Sequence, residues 1–173
     1  MSMLRYLWIW LIVLLMSGCA VYPTTRTYFE PNKEDGTPTR STSCGYHAAA
    51  NDSLERKIGG VSVFVSPRYK EGGNLSISVS LHYDEEDVVI DGSEITVAVN
   101  DEASYLPTDV VVNRYEKDNT HPNRIFLHLI YAVPSESVNE LSVTLPRIVN
   151  KSSSPFRFKK TTRSDIYYAS INC

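Results

Sequence analysis

Tryptophan, long apolar runs and basic excess are what this sequence lacks. Its two tryptophans, Trp8 and Trp10, both lie in the opening apolar stretch, so the rest of the chain has no indole platform for stacking on sugars. No apolar run approaches the roughly 20 residues that a membrane-spanning helix needs at about 1.5 Å of rise each. Lys and Arg number 17 against 20 Asp and Glu, a net charge of −3, which argues against a nucleic-acid partner. Neither G-x-S-x-G nor Ser-x-x-Lys occurs, and no strand-turn-helix elbow presents a serine. No catalytic residue and no cofactor are therefore expected.

What is present begins at the N-terminus. Met1 and Arg5 precede the apolar stretch Tyr6 to Met16, about 11 residues, which ends at the small residues Ser17 and Gly18. A basic start, a short apolar core and small residues before a cut are the grammar of a signal peptide. Met16-Ser17-Gly18-Cys19 resembles the lipobox that ends the leader of bacterial lipoproteins, with Met16 where Leu is usual. The resemblance implies transfer of diacylglycerol to the Cys19 thiol, cleavage before Cys19 and acylation, commonly with palmitate, of the new amino group. Ala20, where Asp would resemble an inner-membrane retention signal, implies an outer-membrane destination with the domain in the periplasm. Two or more acyl chains hold a protein stably at a bilayer, so acylated Cys19 would anchor the mature protein with no protein helix in the membrane.

Loss of the leader removes one basic residue, Arg5, and leaves a mature charge of −4 from 16 basic and 20 acidic residues. With Cys19 assigned to lipid, Cys44 and Cys173 remain as an even pair in an oxidising compartment, where they are expected to form a disulfide. A bridge across so long a span contributes roughly 4 to 5 kcal/mol in the chain-entropy account, less any strain. It would also pin the C-terminal residue.

Three regions follow from composition. Residues 1–18 are the leader. Residues 19–43, the lipidated cysteine and the Thr-, Pro- and Ser-rich stretch behind it, are expected to be a flexible tether, reaching about 80 Å if fully extended at ~3.3 Å per residue. Residues 44–173 carry the folded domain. In its first part, Ala48–Ala50 and Leu54–Ile58 are expected to form a short helix or irregular cover ended by Gly59-Gly60. From Val61 onward the apolar period is two. "NLSISVSLHY" sends Leu75, Ile77, Val79, Leu81 and Tyr83 one way and Ser76, Ser78, Ser80 and His82 the other. "SEITVAVN", "DVVVN", "RIFLHLIYAV", "ELSVTLP", "FRFKK" and "DIYYASIN" continue the series, with polar turn sequences between them. Phe126 and Ile130 make the second face of "RIFLHLIYAV" apolar, which suggests a central or partly covered strand. Alternation of this kind, without βαβ spacing, predicts an all-β antiparallel sandwich of about seven or eight strands. An immunoglobulin-like topology suits the size, although the core cysteine pair and strand-C tryptophan of antibody domains are missing.

Polar clusters in the domain are weighed against plain solvation. Asp84 to Asp87 lack EF-hand spacing and read as a solvated hairpin loop. His47, His82, His121 and His128 are dispersed, and no pair has metal-ligand spacing, so no metal is expected. Arg157, Lys159, Lys160 and Arg163 form a basic strand. It is either a contact for an anionic surface or charge that keeps an edge strand from pairing. The Ser76–Ser78–Ser80 face is either bare sheet or a flat contact surface. Together these observations imply a non-catalytic binding or structural protein of the envelope whose partner is an envelope protein or a glycan. The alternative is a glycan- or lipid-binding module, and a hydrolase would require a polar cleft where Ser, His and carboxylate groups converge.

Overall fold

The structure, a computed structural model, describes residues 19–41, 46–48, 50–84 and 88–170. The leader, Cys44 and Cys173 lie outside the described residues. Among the described residues twelve strands run in chain order: β1 Cys19–Pro31, β2 Thr37–Thr39, β3 Tyr46–Ala48, β4 Ser53–Ile58, β5 Val61–Arg68, β6 Asn74–Tyr83, β7 Thr96–Val99, β8 Ala103–Tyr105, β9 Asp109–Tyr115, β10 Asn123–Pro134, β11 Glu140–Thr144 and β12 Phe156–Ser170. Short 3-10 turns at Lys33–Asp35, Gly92–Glu94 and Ser135–Ser137 are the helical elements among the described residues.

The strands form an antiparallel β-sandwich, as the alternation predicts. Sheet A has the order β1-β12-β11-β7-β8, with β3 also paired to β12; sheet B has the order β2-β4-β5-β6-β10-β9. The count exceeds seven or eight because β2, β3 and β8 are three-residue strands, too short to show a period, and because β1 and β4 fall where a tether and a short helix are expected.

The core lies between the sheets. Sheet B supplies fully buried Ile77, Val79 and Leu81 from β6 and Ile125, Leu127 and Leu129 from β10. Sheet A answers with Val97, Val143 and Phe156. Burying an aliphatic side chain of this size contributes about 1.5–3 kcal/mol, so these rows dominate the stability. Tyr131 is also fully buried, and its hydroxyl donates to the Ile95 carbonyl at 3.1 Å, satisfying the one polar atom the ring brings inside. β10 is central, between β6 and β9, in agreement with its two apolar faces.

Three expectations give way. Residues 19–43 are not a tether throughout: β1 pairs with β12 along its whole length, from Cys19↔Ser170 to Pro31↔Phe158. Its threonines and aromatics suit a pleated backbone. Phe29 is fully buried and Tyr28 nearly so. The short helix over 44–60 is replaced by strands β3 and β4. Here Arg56 takes an inward position between Leu54 and Ile58, opposite Val63, and breaks the apolar alternation. Its guanidinium stacks on the Phe156 ring at 4.1 Å and bonds the Asp35 carbonyl at 2.6 Å, so the charge is accommodated at the sandwich margin. Finally, the basic segment is an edge only in part: Arg157 and Lys159 pair with β11, whereas Arg163 lies between the stretches of β12 that pair with β11 and with β3 and has β1 as its neighbouring strand among the described residues.

The entry to sheet B is held by Asp35. Its carboxylate receives Arg157 Nε at 2.8 Å, Arg157 Nη2 at 2.7 Å and the Arg157 backbone N–H at 3.0 Å. Gly36 follows, and a Cβ there would collide with the Glu55 carbonyl oxygen as β2 turns onto β4. This places Thr39 and Arg40 at the rim of the outer face of sheet B.

Candidate functional site

The outer face of sheet B is a trough whose shape follows from side-chain size in register. Cross-strand pairs align four rows over β5, β6 and β10. The first row joins Arg68, Ser76 and Ile130; the second joins Ser66, Ser78 and His128. The third joins Phe64, Ser80 and Phe126; the fourth joins Ser62, His82 and Arg124. The middle strand thus contributes Ser76, Ser78 and Ser80 to the first three rows, flanked by Arg68 and Ile130 in the first and by Phe64 and Phe126 in the third. Directly opposed residues in antiparallel strands stand about 4.5–5.5 Å apart, so Phe64 and Phe126 rise as walls on either side of Ser80. Thr39 to Ser41 close one flank and Tyr115 of β9 stands at the other, giving a groove of about 590 Å³. Volumes of this order fit a small organic ligand.

The electrostatics of the groove oppose those of the whole chain. Arg40, Arg68 and Arg124 line it and, among the described residues, no Asp or Glu does, although the protein carries net negative charge. Neither Arg68 nor Arg124 forms an ion pair with a described carboxylate. Arg124 stacks against Tyr115, 5.8 Å from the ring centre. Its Nε is buried without a hydrogen-bond partner among the described residues, as are Ser78 Oγ and Thr39 Oγ1. Ser78 is 6% exposed. Buried polar groups are nearly always paired, because leaving one unsatisfied costs roughly 1–3 kcal/mol. Elsewhere on the floor the hydroxyls are paired: Ser66 donates to Ser53 at 2.7 Å, and Ser53 donates to the Val65 carbonyl at 3.1 Å.

Ser80 Oγ and His82 Nε2 lie 2.9 Å apart on the same face of β6. Burial, and then the positive charge of Arg124, hold the His82 pKa below its usual value against an opposing pull from Glu55, so the ring is neutral at pH 7. Phe64 packs against it with ring centres 4.9 Å apart. A catalytic serine–histidine pair also needs a group that orients the base, and among the described residues no carboxylate bonds the other ring nitrogen.

The residues singled out in the sequence fall elsewhere. Cys19 opens β1, and Cys44 and Cys173 lie outside the described residues. The four basic residues of β12 each have a partner within the chain. Arg157 clamps Asp35, Lys159 meets Glu140 at 3.1 Å, Arg163 meets Glu30 at 2.8 Å, and Lys160 donates to the Glu136 carbonyl at 2.6 Å. Glu140 of β11 stands directly opposite Lys159, Glu30 of β1 reaches Arg163 diagonally, and Asp35 and Glu136 come from the 3-10 turns beside the sheet. Of the acidic run, Asp84 pairs with Lys117 at 3.0 Å, and residues 85–87 lie outside the described residues. His121 bonds Asp118 at the surface, and His47 is in β3. Among the described residues no group of His, Cys, Asp and Glu is placed to hold a metal, and no helix is long and apolar enough to cross a membrane.

Comparison with known proteins finds no matching family model, no matching curated protein and no matching solved structure. The chemistry of the groove therefore rests on its own residues. Sequence alternation marked Ser76, Ser78, Ser80 and His82 as one wet face. It did not mark Arg68, Arg124, Phe64 and Phe126 as their neighbours, because those lie on other strands.

Proposed function

We propose that the mature chain is a non-catalytic, lipid-anchored protein of the bacterial outer membrane that holds a small ligand in the groove of sheet B. The groove carries this reading: it combines a serine floor, aromatic walls and unpartnered polar atoms on an otherwise ordinary sheet face. The anchor rests on the lipobox resemblance at Met16–Cys19. Because β1 begins at Cys19 itself, acyl chains there would join the sheet with no spacer and keep the domain close against the bilayer. The disulfide belongs to the same reading. β3 pairs with β12 as Tyr46↔Ala169, two residues after Cys44 and four before Cys173, so the two cysteine-bearing segments lead from neighbouring strands.

Native mass spectrometry of the full lipoprotein, released from envelope membranes in mild detergent, tests the groove. Wild type is expected to carry a small-molecule adduct that Ser80→Trp loses, since an indole would fill the trough between Phe64 and Phe126. Wild type without an adduct, or an adduct kept by both, overturns the reading. Cys19→Ser is expected to abolish palmitate labelling and globomycin-sensitive processing; normal maturation of that variant overturns the anchor.

A further inference from the structure

We infer that the ligand of this groove is an oxyanion-bearing molecule, its carboxylate or phosphate seated at Arg124 and its apolar or ring-shaped body lying over Ser80 between Phe64 and Phe126. The inference rests on the groove being the binding site and adds the chemical class of what enters it. Four observations converge. Arg124 is half-buried, so its charge is partly desolvated, and it has no carboxylate partner among the described residues. Its Nε is an unused donor, and guanidinium N–H groups match the planar oxygens of carboxylate and phosphate. Ser78 Oγ, more than nine-tenths buried, is a second unused polar atom on the same floor, two rows from Arg124. Arg68 adds a second cation at the far end: it pairs with Ser76 while Arg124 pairs with His82. That spacing is about 20 Å of backbone at ~3.3 Å per residue. The two arginines therefore do not converge on one atom. They bracket an elongated molecule whose middle meets the aromatic row.

The countercharge on this face lies outside the groove. Glu55 is on β4, beyond Phe64 in the aromatic row, and Asp109 is at the end of β9 beyond Ile130. His82 stays neutral at pH 7 and offers a hydrogen bond rather than a charge. A neutral sugar or hydrocarbon would leave the half-buried Arg124 stacked on Tyr115 but with no countercharge among the described residues; an oxyanion supplies one.

The test uses isothermal titration of the full lipoprotein in neutral detergent with phenyl phosphate, benzoate and benzyl alcohol, one ring with three head groups. At least one of the two anions is expected to bind tenfold or more tightly than benzyl alcohol, with affinity falling as salt rises. Arg124→Gln is expected to remove that preference. Arg124→Lys keeps stem and charge and is expected to retain a preference for the anion. Equal affinity for benzyl alcohol overturns the inference, as does unchanged anion binding in Arg124→Gln, or an equal loss in the Lys and Gln variants, which marks a merely structural arginine. If benzyl alcohol binds as well as the anions and Ser80→Trp blocks all of them, the groove stands as the site and the oxyanion is lost. If none of the three binds wild type, the inference fails independently of the adduct measurement.

Discussion

Arg157 closes a two-pronged clamp on Asp35 across 122 residues of chain, its Nε and Nη2 donating to the two carboxylate oxygens at 2.8 and 2.7 Å. The side-chain bonds from Arg157 hold the Asp35 carboxyl below its usual range, against the opposing effect of burial. A group whose folded pKa is depressed stabilises the fold above its unfolded value, about 3.9, and loses that contribution as pH falls through the folded value. Urea denaturation from pH 6 to pH 2 should therefore show acid destabilisation that is shallower in Asp35→Asn. Arg157→Ala, which leaves Asp35 without its clamp, should lower the urea midpoint at pH 7 and bring it closer to that of wild type at acid pH.

Tyr131 and Ile95 connect the two sheets through one buried hydrogen bond. Tyr131→Phe removes the donor but keeps the ring, and should lower the unfolding free energy by about 1 kcal/mol in chemical denaturation. Tyr131→Ala also opens a cavity and should cost about 3–5 kcal/mol. Equal effects of the two variants would show that the ring contributes no packing.

β1 is predicted to be part of the folding unit. A chain beginning at Asn32 loses the pairing of β1 with β12 and exposes the surfaces that cover Phe29. Its circular dichroism and resistance to protease should collapse, whereas removing a tether would change neither.

Cys44 and Cys173 are predicted to be joined in protein isolated from the envelope. Non-reducing peptide mapping should recover one linked peptide pair, and reduction should lower the melting temperature. Free thiols at both positions would remove the bridge from the account.

The Ser80–His82 pair is predicted to organise the floor of the groove without catalysis. Hydrolysis of p-nitrophenyl acetate should be equal in wild type and Ser80→Ala. Turnover lost in Ser80→Ala would replace binding with acyl-transfer chemistry.

Some of this was legible along the chain. "NLSISVSLHY" reports its inward row directly, with Leu75, Ile77, Val79 and Leu81 all fully buried, but not that its serine row is half-covered in the groove, with Ser78 buried. β1 was not legible: its threonines look like a linker until β12 supplies backbone partners more than 120 positions away. β4 was obscured by Arg56, whose long apolar stem lets a charge occupy an inward position. The basic run of β12 was visible as composition, but its neutralisation by Asp35, Glu140 and Glu30 required their register.

By itself the sequence determined that the domain is built of antiparallel strands and which residues of the long strands turn inward, because successive side chains of a pleated strand alternate between faces. Tertiary structure alone decided which strands became neighbours. It set Phe64 and Phe126 beside Ser80 and Arg124 beside His82, and so made a plain polar face into a cationic groove. The physical reason is that cross-strand contacts join residues distant in the chain, and no local pattern encodes that distance.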